Sequence, residues 1–109
     1  MSEKLYSMIG LAQKAGKITS GEESCEKEIR SGKSNLTIIA KDSSDNTKKR
    51  FTQMCAYREV QFIEFGTKEL LGKYTGKEYR AVLSIKDKNF ANLITGLYNQ
   101  MSSGGEYNV

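Results

Sequence analysis

The chain has 109 residues, the size of one domain, and 38% hydrophobic with 28% charged residues is a globular composition, not a disordered one. It contains no histidine and only two cysteines, Cys25 and Cys55, which excludes His-based triads, histidine acid–base catalysis and any site needing four sulfur ligands. Seventeen Lys and Arg against thirteen Asp and Glu give a net charge of +4, a mild basic balance that permits nucleic-acid binding without requiring it.

The first element is a helix with Leu5, Met8, Ile9, Ala12 and Ala15 at helical spacing. Ser2 is its candidate cap, and Gly16 suits the left-handed residue that ends it. Lys17-Ile18-Thr19 reads as a short strand. Ser20-Gly21-Glu22-Glu23 then fits an S-x-x-E capping box opening a helix that runs to about Ser31 and stops at Gly32. Only Cys25 and Ile29 make its apolar side. Leu36–Ala40 is an apolar, branched run, the pattern of a strand buried on both faces. A polar turn over 41–45 follows, with Asp45 as the expected cap of a helix carrying Phe51, Met54 and Cys55 on one stripe. Val60–Phe65 is a third strand, then a short helix carries Leu70, Leu71 and Tyr74 and closes at Gly76. Arg80–Ile85 is the fourth strand, and Asp87 caps a last helix with Phe90, Leu93, Ile94, Leu97 and Met101. Residues 102–109 have flexible-linker composition and read as a tail to a single domain over 1–101.

Strands and helices alternate throughout. That predicts an α/β fold with helices on both faces of a four-stranded sheet, three layers in all. No run approaches the roughly 20 apolar residues of a membrane span, and the N-terminus lacks a signal-peptide pattern, so a cytoplasmic protein without membrane contact is expected.

Two stretches imitate a phosphate loop. Gly10 to Gly16-Lys17 and Gly66 to Gly72-Lys73 each hold five residues between the glycines instead of four, with Ile18 or Tyr74 where Ser or Thr should bind magnesium. They read instead as helix-ending glycines, so nucleotide hydrolysis is not expected. Asp42 and Asp45 form no recognisable metal pattern, and no metal or organic cofactor is expected.

The helix opened by Gly21 is the most unusual feature. Its N-terminus offers free N–H groups and partial positive charge, with Glu23, Ser24 and Lys27 on one side, a surface able to meet nucleic-acid edges. The bland alternative is a solvated helix end with a Glu23–Lys27 ion pair. Tyr79 could stack on a base and Arg80 could hold a phosphate, against the alternative of a surface tyrosine at a strand start.

Five blocks in order carry a resemblance: Gly10–Gly21, Ile29–Lys33, the strand Leu36–Ala40 with Lys41-Asp42, Asp45–Lys49, and Gly66–Lys73. Over about residues 3–100 the chain resembles the kink-turn-binding ribosomal proteins seven-Ae and thirty-e, in particular bacterial members of the YlxQ type. The resemblance implies a three-layer α-β-α sandwich with a mixed four-stranded sheet. It further implies a non-enzymatic protein that binds structured RNA, the kink-turn, with ribosomal RNA as one source, as a ribonucleoprotein component; a monomer is expected. The family signature on the second helix is Gly, a variable residue, Asn-Glu, two variable residues and Lys. Gly21 and Lys27 match it; Glu23 and Ser24 replace Asn and Glu. The RNA-binding residues so implied are Lys17, Gly21, Glu22, Glu23, Ser24, Lys27, Lys68, Tyr79, Arg80 and Ala81, with Glu78–Ala81 on the loop that covers the bulged base. The acids Glu22, Glu23 and Glu26 at this place motivate a second expectation, a protein-interaction module that has lost RNA. An enzyme using Cys25 or Asp42 is the least expected.

Overall fold

The computed structural model describes the backbone of residues 2–107 and the side chains of residues 2–101. The four residues of β2 (Leu36–Ile39) and of β4 (Val82–Ile85) are all buried, so these strands form the centre of the sheet. The shorter strands β1 (Ile18–Ser20) and β3 (Phe62–Glu64) flank them in the order β1-β4-β2-β3. β4 is antiparallel to both β1 and β2, while β2 and β3 are parallel. A parallel pair needs a crossover, and α3 (Asp45–Arg58) supplies it.

Alternation along the central strands divides the core in two. Leu36, Ile38, Leu83 and Ile85 meet Leu5, Ile9, Leu71 and Ile94 from α1 (Ser2–Lys14), α4 (Lys68–Tyr74) and α5 (Lys88–Tyr107). Ile39 and Val82 meet Cys25, Ile29, Phe51 and Cys55 from α2 (Glu22–Arg30) and α3. The result is the expected three-layer sandwich with a mixed sheet. The buried polar strand residues on the second face are satisfied through Ser34, which precedes β2: Ser84 Oγ donates to Ser34 Oγ at 2.8 Å, and Ser34 Oγ lies 3.3 Å from Thr37 Oγ1.

Several local expectations change. Ser20 does not cap α2, because it is the last residue of β1; the N-cap is Gly21, with no side-chain hydrogen bond. Ser44, not Asp45, caps α3 by accepting from Thr47 N at 3.1 Å. Asp87 does accept from Phe90 N at 2.8 Å, as expected. Ser2 and Gly10 lie within α1 and Gly72 within α4, so only some of the glycines end helices. Leu93 and Ala15 face outward, whereas Tyr6 is buried between Tyr74 (centroids 5.0 Å) and Phe65 (4.7 Å). α5 continues through residues 102–107, where a tail was expected, and residues 108–109 lie outside the described part.

Both cysteines are free and buried. Cys25 Sγ donates to Thr19 O at 3.4 Å and to Val82 O at 3.6 Å. Burial, then the neighbouring Glu28 carboxylate, pushes the Cys25 thiol far up; burial also raises Cys55. A nucleophilic role for Cys25 is therefore unsupported. Because the unfolded thiols ionise at lower pH than the folded ones, stability is full below their unfolded values and declines as pH rises through about 9. Thermal melts from pH 7 to 10 should show this decline. Ellman's reagent at pH 8 should label neither thiol in native buffer and both in denaturant.

Candidate nucleic-acid interface

The antiparallel placement of β4 brings its leading residues beside the exits of the other strands. Gly21 N donates to Val82 O at 3.0 Å, and Ala40 N donates to Ala81 O at 2.8 Å. Ser43 Oγ adds a bond to Ala81 O at 3.3 Å. Beyond β3, Lys41 N donates to Gly66 O at 2.8 Å and Asp42 Oδ1 accepts from Lys68 N at 2.8 Å. Asp42 thus has a structural task at the start of α4. The start of α2, the turn after β2, the start of α4 and the loop over 75–81 form one end of the molecule.

Gly21 makes the helix tip possible. Its φ of 98° with ψ of 150° is a region open essentially to glycine alone. No side chain caps the first turn of α2, so its leading N–H groups and the helix dipole remain available to an acceptor. Beside the tip lies Arg80. Its Nε donates to Ser20 Oγ at 3.0 Å and its Nη1 to Tyr79 O at 2.8 Å. Arg80 N donates to Lys68 O at 3.0 Å. The guanidinium therefore clips the 79–81 loop to the end of β1, and its Nη2 makes no hydrogen bond among the described residues. Tyr79 is 61% exposed next to it.

The loop owes its position to Gly72. A Cβ there would stand 2.5 Å from Glu78 O and 2.9 Å from Tyr79 N, both backbone atoms. Only a residue without a side chain lets α4 lie this close to the loop. From the sequence Gly72 reads as a helix-ending glycine, but it lies inside α4; a glycine within a helical stripe is the signal by which such a close approach can be found.

Charges on α2 are sorted by face. Arg50 on α3 donates to Glu22 at 2.7 Å and to Glu26 at 3.3 Å, and Arg30 donates to Glu26 at 2.9 Å. Two of the three acids near the tip are thus neutralised, which weakens the motive for a protein-binding acidic face. Glu23 and Lys27 point into solvent, 89% and 78% exposed, 3.9 Å apart. Ser24 is exposed beside them. Gly21, Glu22, Glu23, Ser24, Lys27, Lys68, Tyr79, Arg80 and Ala81 are thereby carried on the elements of one end. Lys17 is not. It stands at the other end of β1, where its carbonyl accepts from Lys86 N, about 13 Å along the strand from Gly21. Among the described residues no group of three or more His, Cys, Asp or Glu could hold a metal.

Residues 3–95 match the family described as the Ribosomal protein L7Ae/L30e/S12e/Gadd45 family. The RNA-binding protein YlxQ of Bacillus subtilis is 37% identical over 92 residues, covering 84% of this chain and 92% of that protein. The large ribosomal subunit protein eL30 of Saccharomyces cerevisiae is 33% identical over 98 residues, covering 87% of this chain and 92% of that protein. Among solved structures, a Bacillus halodurans protein of unknown function superposes with a TM-score of 0.85 at 30% identity, covering 88% of this chain and 97% of that one. A Giardia lamblia 15.5kD RNA binding protein shares the fold, with a TM-score of 0.76 at 22% identity over 94% of this chain and 88% of that one.

The close approach at Gly72 gives a pair of glycine substitutions with opposite outcomes. Gly72→Ala should lower unfolding free energy by about 1–3 kcal/mol, since the added methyl meets backbone. Gly96→Ala, at an exposed helical site with nothing within 4 Å, should raise it by about 0.5–1 kcal/mol. Denaturant titration of both variants checks the contrast.

Proposed function

Because the chain belongs to the ribosomal protein L7Ae/L30e/S12e/Gadd45 family, on its bacterial YlxQ-type branch, we propose that it binds RNA, and specifically RNA folded back on itself in a kink-turn. The observation that carries this reading is the Arg80 clip, which joins the uncapped start of α2 and the Tyr79–Ala81 loop into one surface of outward donors and an exposed aromatic ring.

In this reading the tip of α2 enters the groove opened at the bend. Backbone N–H groups and Lys27 donate to base-edge and phosphate acceptors. Glu23 has no donor of its own, so it accepts from an exocyclic amino group where an amide would donate to a guanine oxygen. Tyr79 and Ala81 cover an unstacked base, while Arg80 Nη2 and Lys68 face phosphates. The protein acts as a monomeric ribonucleoprotein component, with ribosomal RNA as one possible source of the bend, and carries out no chemistry. Its two buried, unlinked cysteines suit the reducing cytoplasm.

A gel shift against a kink-turn duplex and a straight duplex tests the reading. The kink-turn should be retained preferentially, with affinity falling as salt rises. Equal, weak retention of both duplexes would overturn the reading in favour of a protein-interaction module. Lys27→Ala should cost about 1–3 kcal/mol of kink-turn binding by titration. Glu23→Asn should tighten binding, because it removes a carboxylate from a phosphate-rich groove and supplies a donor.

A further inference from the structure

Away from the α2 tip, α1 and α4 leave a groove of about 570 Å³ between them. Leu11 and Tyr74 form its apolar part; Lys14, Lys73, Ser7 and Gln13 supply polar groups around it. Leu11, in the last turn of α1, is 53% exposed. Tyr74 is held in place, with its ring stacked on Tyr6 at 5.0 Å and the Lys73 ammonium 5.9 Å from its centroid. The ion pairs among the described residues use Lys27, Arg30, Lys48 and Arg50, so neither groove lysine has a carboxylate partner there.

α4 connects this groove to the α2 tip. Its first residue, Lys68, receives the Arg80 N–H. Lys73 follows about 8 Å further along the helix axis. A stem leaving a bend held at the α2 tip and running beside α4 therefore reaches the two lysines. We infer that the α1–α4 groove is a second RNA contact, which takes the sugar–phosphate backbone of a stem flanking the bend. The inference rests on the RNA reading of the tip and extends its footprint. Lys14 and Lys73 neutralise successive phosphates, ribose carbons lie on Leu11 and Tyr74, and Ser7 and Gln13 meet ribose oxygens. The unpaired positive charge and the continuity with the tip favour nucleic acid over an acidic protein helix or a second copy of the chain.

The test uses the full chain, its double variant Lys14→Ala/Lys73→Ala, and two kink-turn duplexes with short and long flanking stems. Both lysines are exposed, and equal melting temperatures confirm that the variant folds. The native chain should bind the long-stemmed duplex about tenfold more tightly than the short one, and the variant should lose that gain while binding the short duplex normally. On the long stem, the slope of log affinity against log salt should become shallower by about 2 in the variant. Equal binding of both duplexes by the native chain, or an unchanged long-stem affinity in the variant, overturns the inference and leaves the tip reading standing. Failure to bind either duplex overturns the tip reading, and the inference with it. A change in the sedimentation of the protein alone on double substitution assigns the groove to contacts between copies and also overturns the inference.

Discussion

The antiparallel insertion of β4 between β1 and β2 is the constraint on which the candidate surface depends. A strand that ran parallel to its neighbours would begin at their opposite ends. Here it begins where β1, β2 and β3 finish. Two backbone bonds fix that meeting point, Gly21 N to Val82 O and Ala40 N to Ala81 O. Both belong to the sheet ladder or its immediate continuation, so the place where α2 starts is set by the central strands. Glycine then serves twice, through its backbone freedom at Gly21 and through its missing side chain at Gly72. The first turns the chain from strand into helix, and the second admits the loop.

The orientation of α2 follows from a division of labour around its circumference. Cys25 and Ile29 are buried against the sheet. On one flank, Arg50 bridges Glu22 and Glu26 from α3. On the other, Thr19 Oγ1 donates to Glu28 Oε2 from β1. Isolated surface pairs contribute little, but a guanidinium shared by two carboxylates fixes geometry as well as charge. The thin apolar stripe of this helix is therefore supplemented from both sides. Glu23, Ser24 and Lys27 are left outward by elimination, on the face that no protein element covers.

Much of this was legible in the residues themselves. The buried run over Leu36–Ile39, the stripe of Phe51 and Cys55, the left-handed glycines 16 and 76 and the Asp87 cap depend on local pattern, and local pattern suffices for them. The sites that were not legible depend on what the sheet brings near. Ser20 has the spacing of a helix cap, but pairing with β4 keeps it in the strand and directs its hydroxyl to Arg80. Asp45 looks like a cap, yet Ser44 one residue earlier has the extended backbone that the cap needs. Lys17 lies close to Gly21 in sequence, but an extended strand carries it to the far end of the sheet. Tyr6 is not legible as a core residue from local pattern, because its partners Phe65 and Tyr74 come from distant segments.

The surface combines parts that are held with parts that are free, and the two contribute differently to recognition. Arg80 is already bound at two of its nitrogens, and the loop backbone is set against α4, so binding costs these groups little rotamer entropy. Lys27 and Glu23 are solvated and must be ordered on contact. A rigid frame of this kind favours a partner whose shape is already bent, because a straight duplex would have to deform before both the tip and the loop could touch it. On the proposed kink-turn reading, the solvated pair Glu23 and Lys27 adjusts to base edges that differ from one RNA to another. On the same reading, shape discrimination resides in the backbone geometry fixed by β4, and the choice among bent RNAs in the two side chains that the fold leaves unconstrained.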